Sequence, residues 1–78
     1  MTREELDTWI EENGTGEREH YYCNKMSWLL VPMTDGWVAV FEIINGCSYI
    51  PSTQAVDMNK AKTFCNLTEP ITVPINPI

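Results

Sequence analysis

The chain is short of most of what chemical sites in proteins are built from. It has one histidine, His20, and only five basic side chains, Arg3, Arg18, Lys25, Lys60 and Lys62, in 78 residues. A lone imidazole leaves no pair to share a metal, and five scattered cations form no stripe able to track a nucleic-acid backbone. The three cysteines, Cys23, Cys47 and Cys65, are an odd number, and none stands in a Cys-x-x-Cys pair. With no basic-then-apolar leader near the start, they fit a reducing, cytoplasmic compartment better than a disulfide framework. The longest apolar run, Trp37 to Phe41, is followed by Glu42, far short of the roughly 18 residues that span a bilayer. Gly14-Thr15-Gly16 precedes Glu17, without the lysine or the later glycine of a phosphate-cradling loop.

Each remaining candidate for chemistry has a plainer explanation. His20, Cys23, Cys47 and Cys65 formally supply a zinc ligand set, but only His20-x-x-Cys23 has suitable spacing, and unpaired cysteines are usually small core residues. His20 and Cys23 fall on opposite faces of a strand, which does not favour a base beside a nucleophile. The pairs Glu4-Glu5 and Glu11-Glu12 project from an exposed helix face, outside any apolar pocket that would suit a general acid. The expectation is a protein that is not an enzyme and holds neither cofactor nor metal.

What is present is enough for one small domain. Hydrophobic residues make up 44% and charged residues 21%, a globular balance, although a chain of this length buries a core of marginal size. Thr2 and Glu5 have capping-box spacing. Leu6, Trp9 and Ile10 make one apolar face, so the pattern predicts a helix over 3–12, ended by a left-handed stop at Asn13-Gly14. Residues 14–20 read as an exposed connection.

From Tyr21 the alternation turns strand-like, with Met26, Trp28 and Leu30 on one side and Ser27, Leu29 and Val31 on the other. Thr34-Asp35-Gly36 reverses the chain into a strand over 37–44, and Asn45-Gly46 is a type I′ hairpin signal leading to a short strand over 47–50. Pro51-Ser52 then ends the sheet, and Ser52 or Asp57 caps a second helix reaching Cys65, with Val56, Ala61, Phe64 and Cys65 as buried positions. Pro70, Pro74 and Pro77 exclude helix from the tail, which is expected to be extended or an edge strand. The fold class is therefore α+β over 1–78: an N-terminal amphipathic helix, a three-stranded antiparallel meander, a second helix and a proline-bearing tail.

Two surfaces stand out. The net charge is −6, and residues 1–19, with seven acids against two bases, hold −5 of it. Glu4, Asp7 and Glu11 fall in one helical sector, with Glu5 and Glu12 alongside and Glu17 and Glu19 just beyond. Their steps of about 4.5 to 6 Å along the helix resemble the charge spacing of a nucleic-acid strand. Such a row offers itself to a protein with a basic surface and repels nucleic acid directly. The site expected for a partner is Glu4, Asp7, Glu11, Glu12, Glu17 and Glu19, with Trp28 as aromatic anchor. The second surface is the strand over 37–44, apolar on both sides. If both helices cover one face, the other needs the tail, a second copy in a homodimer, or another protein.

In size, acidity and lack of a catalytic set the chain resembles the small proteins that phages encode to block host machinery, including anti-CRISPR and DNA-mimic anti-restriction proteins. The likeness is one of composition and transfers no residue. It implies a non-enzymatic inhibitor or modulator of a nucleic-acid-handling complex. The alternative is a homodimeric structural or regulatory accessory protein acting through its apolar sheet face.

Overall fold

A computed structural model describes residues 1–23 and 25–66. The chain runs α1 (Arg3–Asn13), β1 (Glu19–Cys23), β2 (Met26–Pro32), β3 (Val38–Ile44), β4 (Ser48–Ala55) and α2 (Met58–Phe64). The four strands form one antiparallel meander in the order β1-β2-β3-β4. The class is the α+β expected, with four strands in place of three. The proline-bearing tail lies outside the described residues.

The difference in strand count begins in the polar segment before Tyr21. Glu19 to Cys23 pairs with Leu30 to Met26, so what reads as one long strand is a hairpin that begins within the expected connection. Lys25, with φ 65°, occupies the left-handed region at its turn, a conformation that no glycine advertises here. Pro51 likewise does not stop the last strand. β4 is an edge strand, and its register against β3 shifts between Val40 and Phe41, where Phe41 faces Pro51 and Val40 faces Thr53. The extra residue, Ser52, is a bulge, and a bulged edge is where a sheet tolerates proline. The Asn45-Gly46 turn matches its expectation: both residues have positive φ, 55° and 72°, and the Cys47 amide donates to the Ile44 carbonyl at 3.1 Å.

Each helix takes its own face of the sheet. Under α1, Leu6 and Ile10 pack with Leu29, Val31, Ala39, Phe41 and Tyr49. Trp9 meets Phe41 edge-on, with ring centroids 5.2 Å apart. Under α2, Ala61 and Cys65 pack with Trp28, Leu30, Val38 and Val40. The strand alternation read from the sequence is the one observed, but the helices divide the two faces between them. The middle of β3 is buried on both sides by the chain itself, and no second copy is required there.

α2 is capped by Asp57, whose carboxylate accepts from the Lys60 amide at 2.8 Å; Ser52, the other candidate, sits in the β4 bulge. Ala61 and Cys65 are buried as expected, whereas Val56 and Phe64 are half-exposed. A seven-residue helix has too few turns to bury more than one narrow stripe. α1 carries the expected capping box, with Glu5 N–H donating to Thr2 Oγ1 at 3.1 Å and Thr2 N–H to Glu5 Oε1 at 2.9 Å.

Its end differs from expectation. Gly14 is extended, at φ −93° and ψ 171°, rather than left-handed, and it bridges to Met33. Thr15 N–H donates to the Pro32 carbonyl and Thr34 N–H to the Asn13 carbonyl, both at 3.0 Å, so the helix exit is tied to the end of β2. Glycine is needed there for close approach. A Cβ at Gly14 would lie 3.0 Å from the Ile10 carbonyl oxygen, 3.1 Å from Ile10 Cγ2 and 3.3 Å from Val31 Cγ1.

The Gly14→Ala variant is expected to unfold at lower urea concentration, losing about 1 to 3 kcal/mol by overpacking, while Thr15→Ala, at an exposed neighbour, leaves the midpoint nearly unchanged. Equal midpoints for the two would show that the close approach is not there.

Candidate functional site

The residues expected to meet a partner fall into three groups. Glu4, Glu11, Glu12 and Glu17 are exposed along α1 and the segment after it. Asp7 is exposed too but is held internally: Arg18 contacts its Oδ1 at 3.2 Å and Arg3 at 3.5 Å. One carboxylate is thereby shared by two guanidiniums, so the acidic row is interrupted in its middle. Glu19 is half-buried at the start of β1 and accepts a hydrogen bond from the Tyr21 hydroxyl, so part of its charge is spent within the sheet.

Trp28 is a correction. It is 8% exposed, in the core beneath α2, where it meets Phe64 edge-on at 6.0 Å between ring centroids. It cannot anchor a partner without the helix lifting. Its strand side is the one the sequence indicates; what the alternation could not show is that α2 closes over that side. The most exposed aromatic side chains are Tyr22, at 71%, Phe64, at 50%, and Trp37, at 43%. On the α2 side of the sheet Met26, Ile44 and Ile50 are also partly exposed, beyond what the short helix covers.

Among the described residues, no three histidine, cysteine or acidic side chains gather where they could hold a metal. His20 is exposed, Cys47 is exposed in the turn after β3, Cys23 is half-buried and Cys65 is buried. His20 and Cys23 point to opposite faces of β1, as strand geometry requires. Burial pushes the Cys65 thiol up to about 11, with neighbouring Cys23 adding to the rise. At neutral pH it is a protonated core side chain, not a nucleophile. Among the described residues no helix is long and apolar enough to cross a membrane.

Tyr21 joins the acidic segment to α2. Its hydroxyl donates to Glu19 and its ring lies under the Lys62 ammonium, 5.5 Å from the ring centroid. The hydrogen bond to Glu19 raises the phenol above its ordinary value of 10.0, burial adds to the rise, and Lys62 opposes it. Because the folded state holds this proton more tightly, the contribution to stability is complete below pH 10 and is lost as pH rises through the folded value.

Among the described residues, two of the concavities on the α1 side of the molecule stand out. One, of about 280 Å³, lies between Trp9, Phe41 and the Pro51–Gln54 stretch of β4, and no acidic or basic side chain lines it. The other, of about 310 Å³, lies where α1 leaves the hairpin end of the sheet uncovered, and Arg3, Arg18 and His20 all line it. Sequence reading missed it, because Arg3, Arg18 and His20 are too scattered along the chain to suggest a site until β1 is recognised as a strand. Comparison with protein-family models, curated proteins and solved structures found no match.

Two measurements check this description. Absorbance titration of the phenols is expected to show one tyrosine ionising above the others, and Glu19→Gln to bring it back toward 10; an unchanged titration would remove the Glu19 contact. Alkylation of the native protein is expected to modify Cys47 first and Cys65 only on unfolding, and early labelling of Cys65 would contradict its burial under α2.

Proposed function

We propose that the protein is a non-enzymatic inhibitor or modulator that binds a nucleic-acid-handling protein through the acidic surface of α1 and the segment after it, in the manner of phage anti-CRISPR or anti-restriction proteins. It acts in the cytoplasm, where its three thiols stay reduced, and needs no cofactor. The observation that carries the reading is the exposure of Glu4, Glu11, Glu12 and Glu17 on one helix and its exit, while the two nearby arginines turn to Asp7. Glutamates on a rigid, capped helix present charge at fixed spacing, which suits a groove built for phosphates. The tie between Gly14–Thr15 and the end of β2 holds the direction in which that row points.

The recognition surface differs from the one expected of the sequence in two respects. Asp7 acts mainly by placing Arg3 and Arg18, and aromatic contact comes from an exposed ring, Trp37 or Tyr22, in place of Trp28. A homodimeric accessory protein has less support, since a helix already lies on each sheet face.

Reversing Glu4, Glu11 and Glu12 to lysine together is expected to abolish retention of basic nucleic-acid-binding proteins on the immobilised chain, with circular dichroism unchanged. Retention by the unaltered chain should fall with competing duplex DNA and with ionic strength above about 0.1 M, where screening shortens to roughly 10 Å. Retention that survives both charge reversal and salt would overturn the acidic-surface reading.

A further inference from the structure

In this acidic chain the concavity at the hairpin end of the sheet brings positive charge together. Its floor is apolar, made by Leu29, Ile43 and Tyr49, and its rim carries Arg3 from the first turn of α1, Arg18 just before β1, and His20 on β1. Two of the protein's five basic side chains and its single histidine therefore face one hollow. Ser27, on the neighbouring strand, also lines it, and Tyr22, paired across the sheet with Ser27, stands at 71% exposure beside it. At about 310 Å³ the hollow lies at the lower end of the range of roughly 300 to 1,000 Å³ for small-molecule sites.

We propose that this hollow binds a small phosphomonoester, with the phosphoryl group between Arg3, Arg18 and His20 and an apolar or aromatic body over Leu29 and Ile43. Each guanidinium engages Asp7 through one nitrogen, Nε of Arg3 and a terminal nitrogen of Arg18, out of a fork with five N–H donors. Asp7 therefore aims both side chains without exhausting them, and two guanidiniums sharing one carboxylate keep a net positive charge. Planar forks with an imidazole beside them match the several oxygens of a phosphoryl group better than a single ammonium would. The surrounding carboxylates select size: a net charge of −6 repels a polyphosphate or a nucleic-acid strand and leaves a lone monoester, shielded at short range, as the anion admitted. The glutamates that carry the proposed protein-binding surface, Glu4, Glu11, Glu12 and Glu17, line no part of this hollow, so either reading can fail alone.

The test is a titration of the full chain with phenyl phosphate, followed through its backbone amide resonances, with phenol and inorganic phosphate as separate arms. Phenyl phosphate is expected to move the amides of His20, Ser27, Gly46 and Tyr49 in a saturable way; inorganic phosphate should move the same set more weakly, and phenol should not move it. Arg18→Gln and His20→Gln should each weaken binding about tenfold, the scale of one lost charge-assisted hydrogen bond, while Lys60→Gln, on α2 across the sheet, should leave it unchanged. Asp7→Asn separates a site from a salt-bridged surface: the amide keeps an oxygen at the position both arginines contact but removes the competing negative charge, so phenyl phosphate binding should tighten. The proposal is overturned if millimolar phenyl phosphate leaves those amides in place, if Lys60→Gln weakens binding as much as Arg18→Gln, or if Asp7→Asn weakens it.

Discussion

A sheet only four strands wide that is apolar on both sides must be covered twice, and this constraint organises the rest of the molecule. Leu30 and Val31 are adjacent in β2 and both are fully buried, on opposite faces. Val38 to Phe41 in β3 repeat the arrangement. A chain of 78 residues has little surplus with which to meet this requirement, since small domains bury a modest share of their surface. It does so by placing one helix before the sheet and one after it, each on its own face. The helices are fixed accordingly, α1 at its exit through Gly14 and its bridge to Met33, α2 at its start through the Asp57 N-cap.

The same constraint explains which parts of the structure were legible in the sequence. Period-two alternation sorted Trp28 and Leu30 from Leu29 and Val31, and the capping box and the Asn45-Gly46 turn are local signals whose chemistry is complete within a few residues. Three features depended on information that is not local. β1 is a polar edge strand, where Glu19 and His20 carry no burial signal, and its return through Lys25 has no glycine or proline to mark it. Pro51 is a strand breaker in the middle of a sheet but not at a bulged edge, and edge position is a property of the whole topology. That α2 crosses to the face opposite α1 follows from the combined demand of both faces and not from either helix alone, which is why Trp28 reads as an anchor and is found in the core.

The two surfaces proposed for binding follow from how little helix there is. α1 spends Leu6, Trp9 and Ile10 on the core, and its other positions, mostly acidic, face water. Being short, it also leaves the hairpin end of its face open, and two of the chain's five basic side chains, Arg3 and Arg18, come together there around Asp7. An acidic row with a positive hollow at its margin has charge of both signs at fixed positions. On the proposed reading, such a surface would discriminate among partners better than net charge alone, because each wrong pairing leaves like charges in contact.

The claim on which all of this rests is that α1 and α2 lie on opposite faces of one sheet, and methyl-resolved nuclear Overhauser spectra test it most directly. The account predicts cross-peaks from Leu6 and Ile10 to Leu29, Val31 and Phe41, and from the Ala61 methyl to Val38, Val40 and Trp28, with no exchange between the two sets. Cross-peaks from Ala61 to Leu29 or Phe41 would place both helices on one face and contradict it.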